Sequence, residues 1–284
     1  MKSPLMDRTK KRLKSGVRQL RRRYFDTFHP FSADDLATGI AALGIGRGDG
    51  VLVHSSFDAF AGFVGKPTDV ISELEKLVGP EGRVLMPTLP FGGTAVEYAR
   101  QQLVFDVMRT PSRMGLLTEL FRRSTDVTRS VHPTHPVAVW GRDAAAFAQG
   151  HHVANTPCGT GSPYARLLET DGKILLLGTG IGALTFFHTV EELLEKQLPQ
   201  SPFTEEVFCL QSRDHSGKIV VTQTRLFEPG MSKRRNLDKL IPELRVRGAW
   251  REHQTGRLRM ISLDAADIFA AVSAMADRGE YCYD

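Results

Sequence analysis

Along the chain, short apolar runs alternate with stretches whose apolar residues recur every three to four positions, a pattern that predicts strands interleaved with helices. Val51-Leu-Val-His54, Arg83-Val-Leu-Met86, Pro136-Val-Ala-Val-Trp140 and Lys173-Ile-Leu-Leu-Leu177 read as strands, the first as a buried one and the last as a strong one. A cap signal in Ser32-Ala-Asp-Asp-Leu36 opens a helix that stops at the glycines of Leu43-Gly-Ile-Gly-Arg-Gly-Asp-Gly50. Val70 to Val78, Met114 to Arg123, Tyr164 to Glu169 and Phe187 to Lys196 also read as helices, and Leu263 to Ala276 as the closing one. Val207 to Gln211 and Lys218 to Thr224 flank the turn Asp214-His-Ser-Gly217, which predicts a hairpin. This order of elements argues for an α/β layered fold with an antiparallel portion near its end. Neither an internal repeat nor a low-complexity linker divides it.

Composition narrows the class. The chain has 284 residues, 41% hydrophobic and 24% charged, enough to build one large core and too apolar for a disordered chain. Three cysteines, Cys158, Cys209 and Cys282, are odd in number and far apart, which excludes a disulfide framework and predicts a reducing, cytoplasmic setting. The longest weakly polar run, Ile174 to Phe187, is shorter than the ~20 residues of a membrane-spanning helix. No apolar stretch follows the basic start, so no secretory signal is expected.

The net charge of +5 is unevenly distributed. Residues 1–24 carry ten basic groups and one acid, or +9, which leaves −4 for the other 260 residues. The expected organisation is therefore a basic N-terminal segment, 1–24, ahead of a mildly acidic domain, 25–284. Leu13, Val17, Leu20, Tyr24 and Phe28 fall on one face of a predicted amphipathic helix, packed on the body with its basic face in water. Contact of that face with an anionic surface is the alternative. Nucleic acid is not an expected partner, because the acidic body offers no track of continuing positive charge.

Several motifs are weaker than they look. Gly178-Thr-Gly180-Ile-Gly-Ala183 follows a strand like a dinucleotide loop, yet no strand ending in Asp or Glu comes about 20 residues later. Gly62-Phe-Val-Gly-Lys-Pro-Thr68 hints at a phosphate loop, but Pro67 interrupts its Gly-Lys-Ser/Thr end, so a substrate or cofactor rim is the expectation. His132 and His135, with His54 and His188, offer imidazoles for zinc, but their extended setting gives no metal-ligand spacing and no metal is expected. Cys158 lacks a paired base and reads as a small buried residue.

A longer constellation is more specific. Val51-Leu-Val-His-Ser-Ser-Phe57, Gly79-Pro-Glu-Gly82, Leu85-Met-Pro-Thr88, Phe105-Asp106, Thr110-Pro-Ser-Arg-Met-Gly115 and Leu117-Thr-Glu119 come first. Arg129-Ser-Val-His-Pro-Thr-His-Pro-Val137, Gly161-Ser-Pro163, Leu176-Leu-Gly178 and Thr185-x-x-His188-x-x-Glu191 follow. In this order the blocks resemble the aminoglycoside 3-N-acetyltransferase family over residues 51–191, and more loosely to about residue 276. The resemblance implies a single three-layer α/β domain with a mixed sheet, distinct from the commoner N-acetyltransferase fold. It also implies direct transfer of an acetyl group from acetyl-CoA, as co-substrate, to a small-molecule amine, and leaves a homodimer open. The family's catalytic His falls on His188 and its Glu on Glu191.

Those residue types suit the chemistry on their own. A primary amine is mostly protonated near neutral pH and must lose a proton to attack a thioester, a task for histidine. On a helix, Glu191 and Glu192 lie at i+3 and i+4 from His188, where a carboxylate can orient the imidazole, although His-x-x-Glu also occurs as ordinary helix charge. For coenzyme A, His54, Ser55 and Ser56 end a strand where open α/β sheets place ligands, and Thr88 follows the second strand. Ser112 is placed to cap a helix whose N-terminus faces an anion, and Arg129, His132 and His135 are placed for the phosphates. The resemblance adds Ser162 to this group. One departure stands out: many resistance enzymes of the family carry an Asp and an Asn before the catalytic His, where this chain has Gly180-Ile-Gly-Ala-Leu184. A less cationic amino sugar or a biosynthetic amine is therefore an alternative acceptor, and a CoA-binding protein without chemistry an alternative role.

Overall fold

The computed structural model of the chain describes residues 24, 25 and 27–284. The basic segment predicted as an amphipathic helix lies outside the described residues except for its end. There, Tyr24 and Phe28, expected on the packed stripe, are 52% and 64% exposed. Phe25 is the partly covered ring of this stretch, with the Arg257 guanidinium 4.4 Å above it.

Among the described residues, ten strands and ten α-helices follow. The strands are β1 Gly50–Ser55, β2 Arg83–Pro87, β3 Phe105–Asp106, β4 Thr128–Arg129, β5 Val137–Gly141, β6 Lys173–Leu177, β7 Phe203–Arg213, β8 Ile219–Phe227, β9 Arg251–Thr255 and β10 Leu258–Asp264. The helices are α1 Ala33–Ala42, α2 Pro67–Val78, α3 Ala95–Ala99, α4 Leu116–Phe121, α5 Ala144–Ala148, α6 Pro163–Glu169, α7 Phe187–Leu193, α8 Pro229–Arg234, α9 Ile241–Val246 and α10 Ala265–Asp277.

The main sheet has seven strands in the order β4-β5-β2-β1-β6-β10-β9. Its centre, β2-β1-β6, is parallel, and β5 and β10 add to it antiparallel, so the sheet is mixed. Successive side chains of a strand point to opposite faces. Accordingly Leu52, Leu85 and Leu176 join the core under α5, α6, α7, α9 and α10, while Val51, Val53, Val84 and Leu175 join the core under α1, α2 and α4. Both faces are buried, which explains the unbroken apolar runs of β1 and β6 and makes the domain three-layered. A second sheet, β3-β7-β8, packs with α3 around Phe208, Leu210 and Leu226.

Local chemistry sets the element ends. Ser32 and Asp35 form a reciprocal capping box that starts α1. The Gly62–Thr68 motif resolves as the start of α2: Pro67 occupies its first turn, and the Lys66 N–H donates to Asp69 Oδ2 at 2.7 Å. At the end of β6, Gly178 has φ +66°, and a Cβ there would run into Ala59, so this glycine serves a tight turn and close packing.

One expected element needs correction. Leu263 belongs to β10, so the closing helix starts at Ala265, and the hairpin β9–β10 was not legible. Arg251-Glu-His-Gln-Thr255 is a polar edge strand without an apolar run, and the apolar residues of β10 merge in sequence with the helical pattern that follows. Among the described residues no helix is long and apolar enough to cross a membrane.

Candidate active site

Phe187 and Val190 sink one side of α7 into the core, with Leu194 just after the helix, which sets His188 and Glu191 together along the adjoining face. His188 Nδ1 lies 2.9 Å from Glu191 Oε2. The imidazole keeps 18% of its side chain exposed and the carboxylate 1%, so His188 is the member that can meet a reactant.

Glu191 accepts four further hydrogen bonds, from two residues. Arg235 Nη2 donates to both of its oxygens, at 2.9 and 2.8 Å, and Arg235 Nε to Oε1 at 3.1 Å. The Tyr283 hydroxyl donates to Oε1 as well. Burial alone would push this carboxyl up, but His188, Arg235 and Tyr283 together hold it below its usual range. An ionised carboxylate only accepts, so Nδ1 of His188 carries the hydrogen and Nε2 is the basic nitrogen. Burial first, and then the Arg235 charge, lower the His188 pKa below that of an ordinary histidine, against the opposing pull of Glu191. The ring is thus a free base near neutral pH, fit to take a proton.

Rings enclose it. Phe227, at the end of β8, stacks on His188 with centroids 4.0 Å apart, and His135 meets it edge-on at 6.0 Å. His135 Nδ1 is 2.9 Å from Thr134 Oγ1, and the His135 N–H donates to His132 Nδ1 at 3.1 Å. His132 in turn stacks on His151 at 4.4 Å. Burial, ahead of mutual repulsion, holds His132 and His135 well below the ordinary value, so this row of imidazoles is uncharged. Among the described residues, His132 Nε2 and His54 Nε2 are buried with no hydrogen-bond partner. Among the described residues no three His, Cys, Asp or Glu side chains form a group that could hold a metal.

The remaining sequence candidates separate. Ser55 and Ser56 are half-buried at the C-terminal end of β1, and His54 is buried beside them. Arg129 is 2% exposed and spends its guanidinium on protein oxygens: Thr88 Oγ1 at 2.9 Å, Thr88 O at 2.6 Å, Thr110 O at 2.6 Å and Val107 O at 3.3 Å. It ties the loops after β2 and β3 together, and every polar contact it makes here is internal. Thr88 is equally occupied, donating to Pro136 O at 3.0 Å. Ser112 is not a helix cap, since α4 begins after Gly115; its hydroxyl accepts from the Met114 N–H and pairs with Thr118 Oγ1. Ser162 caps α6 by accepting from the Ala165 N–H at 3.1 Å and is fully buried. Cys158 is buried, which pushes its thiol well above the ordinary range, as suits an inert residue.

Three groups in contact with the pair were missed: Arg235, Tyr283 and Phe227. Arg235 and Tyr283 come from 44 and 92 residues beyond Glu191, and no spacing signal connects them. A cleft of about 480 Å³, lined by Phe91, Glu97, Tyr98, Thr110 and Arg113 among others, opens beside the loop after β2. The Phe91 ring lies 5.8 Å from that of His135, so a chain of rings runs from the cleft to His188.

Comparison with known proteins gives this geometry a context. A family model described as aminoglycoside 3-N-acetyltransferase matches residues 52–277. Aminoglycoside N(3)-acetyltransferase VII of Streptomyces paromomycinus is 31% identical over 179 residues, covering 58% of this chain and 62% of that protein. Aminoglycoside N(3)-acetyltransferase III of Pseudomonas aeruginosa is 28% identical over 177 residues, covering 58% and 65%. The chain thus aligns with somewhat less than two thirds of the length of these relatives. Among solved structures, that of aminoglycoside acetyltransferase AAC(3)-Xa superposes with a TM-score of 0.78 at 25% identity, covering 94% of this chain and 99% of that one. The structure of AAC-IIIb as a binary complex with CoASH superposes with a TM-score of 0.73, also at 25% identity, over 87% and 97%.

Proposed function

The chain belongs to the aminoglycoside 3-N-acetyltransferase family, and from that premise we propose that it transfers an acetyl group from acetyl-CoA to an amino group of an aminoglycoside or related amino sugar. The observation that carries this reading is the His188–Glu191 pair, an accessible neutral imidazole whose Nδ1 is held by a buried carboxylate. His188 Nε2 accepts the proton of the attacking amine as its nitrogen bonds to the thioester carbonyl carbon. Glu191 keeps the ring in the tautomer that leaves Nε2 free and stabilises the imidazolium as it forms. When the carbon–sulfur bond breaks, His188 returns the proton to the departing thiolate, so acetyl-amine and free CoA thiol leave and the base is restored. The mildly acidic domain suits a cationic acceptor, and the cleft beside Phe91 has the size of a small-molecule site.

A second acceptor class is favoured by one observation. Residues 180–184, just ahead of α7, carry no charged or amide side chain, and Ile181 and Leu184 are buried, so this segment offers a polycation no carboxylate. A less cationic amine fits that segment better.

The test is release of free thiol from acetyl-CoA across a panel of aminoglycosides and neutral amino sugars. Turnover should appear with at least one acceptor and fall at least ~100-fold in His188→Ala, the usual size of a general-base contribution. Absence of thiol release with every acceptor, or wild-type turnover in the variant, overturns the proposal.

A further inference from the structure

Arg235 and Tyr283 are partners in an isolated antiparallel bridge, and both side chains end on Glu191. From this juxtaposition we infer that Tyr283 is a positioning residue for the His188–Glu191 pair, held in place by a strap formed by residues 281–284. The role in turnover rests on the acetyl-transfer reading, whereas the coupling to His188 does not.

The strap has its own fastenings. Gly279, at φ +72°, turns the chain after α10, and the Glu280 N–H donates back to Met275 O at 2.9 Å. Cys282 is buried in the main core. Backbone bonds of 2.8 Å from Asn236 N–H to Cys282 O and from Asp284 N–H to Arg234 O stitch it to the Arg235 segment, with Asn236 Nδ2 and Lys239 Nζ on the Asp284 carboxylate. None of these uses the Tyr283 hydroxyl, whose hydrogen bond among the described residues goes to Glu191.

That bond matters because Glu191 is a buried charge with a task. Paired backbone positions send neighbouring side chains the same way, so Arg235 and Tyr283 reach the carboxylate together: both donate to Oε1, while Oε2 is shared by Arg235 and His188. With both of its oxygens engaged, the carboxylate is held against swinging away from the imidazole. The hydroxyl also draws negative charge toward Oε1, away from the ring. The groups facing His188 are Glu191, Arg235, His135 and the uncharged Phe227; those facing Glu191 include Tyr283, the Cys158 and Cys282 thiols and the neighbouring Glu192. Both thiols are pushed up by burial, Cys282 to about 12, and stay neutral.

Tyr283→Phe in the full chain tests the assignment, since it removes the hydroxyl and leaves the strap. Three readouts are needed: the titration midpoint of the His188 ring by NMR without substrate, kcat and KM for thiol release, and Tm. The expected result is an upward shift of the His188 midpoint, because more of the Glu191 charge then favours the imidazolium. With it should come a roughly tenfold fall in kcat, the size of one hydrogen bond to a charged group, with KM for acetyl-CoA within about twofold and nearly unchanged Tm. An unmoved midpoint, a shift with unaltered kcat, or a loss of rate that merely follows the unfolded fraction overturns it. Should wild-type protein acetylate no amine, the acetyl-transfer reading fails, and the NMR midpoint alone decides whether Tyr283 positions the pair.

Discussion

The imidazole of His188 lies over the ring of Phe227, with centroids 4.0 Å apart and planes inclined by 29°. One residue belongs to a helix of the three-layer domain and the other closes a strand of the smaller sheet. Glu191 fixes one nitrogen of the imidazole and Phe227 fixes its plane, so two directions of motion are removed by two different parts of the chain.

Phe227→Ala should separate orientation from simple presence of the base. Burial is the first cause of the low His188 pKa, and uncovering the ring should return it toward its ordinary value. The acid limb of a kcat/KM-against-pH profile is expected to move to higher pH, with reduced rates at neutral pH. Stability should fall by about 3 kcal/mol, as for a buried phenyl ring, measured by urea unfolding.

The two adjacent glutamates should behave oppositely. Glu191→Gln removes the charge that orients His188 and is expected to cost at least ~100-fold in kcat. Glu192 turns away, accepting from the Cys158 N–H at 2.8 Å, and burial pushes it up to about 8. A carboxyl raised in the folded state costs stability that grows as pH rises from its ordinary value of 4.5 toward 8. Glu192→Gln should therefore keep activity and raise Tm, most clearly at pH 8.

Arg129 offers a test of scaffold against ligand binding. Its planar fork spans the Thr88 carbonyl and hydroxyl and two carbonyls of the 107–110 loop, which a lysine cannot reproduce. Arg129→Lys is expected to lower stability by about 2 kcal/mol through unsatisfied buried acceptors. A calorimetric Tm equal to that of the wild type would show that these contacts do not hold the loops.

Acid should unfold the protein well before its carboxylates titrate. Burial lowers His54 to about 4 and His151 to about 3, with His132 and His135 also well below 6.5. Each stays neutral in the folded state while its unfolded counterpart takes up a proton below about pH 6.5. Their stability contribution is full above pH 6.5 and is lost as pH falls toward the folded values, at up to ~1.4 kcal/mol per pH unit per ring. Circular dichroism between pH 7 and 4 should show loss of structure, displaced to lower pH in His54→Leu.

Gly178→Ala tests the glycine loop. With a left-handed backbone and Ala59 in the way of a Cβ, it should destabilise by about 2 kcal/mol or more. Neither the variant nor the wild type should bind a nicotinamide dinucleotide in equilibrium dialysis.

Much of the architecture was legible because its signals are local. The runs at Val51 and Lys173 announce strands, Ser32 with Asp35 announces a helix start, and Asp214-His-Ser-Gly217 announces a hairpin. Where a signal is diluted, as in the polar edge strand β9, the pattern gave nothing. The reading that Ser112 caps a helix failed because Gly115 stands nearer the helix start and Ser112 finds partners in Thr118 and Glu119.

The sequence by itself determined the alternation of elements, the acidic body behind a basic start, and the His188–Glu191 spacing, because these depend on residues within a few turns of one another. The family motif already pointed to Glu191; the tertiary structure supplied the physical reason, since packing of Phe187 and Val190 sets the rotation of α7 and Glu192 goes to the Cys158 N–H instead. The tertiary structure alone brought Phe227, Arg235 and Tyr283 to the pair and turned Arg129 inward. Such contacts join positions tens of residues apart, and their closeness follows from burying the sheet between its two helical layers, which no local pattern records.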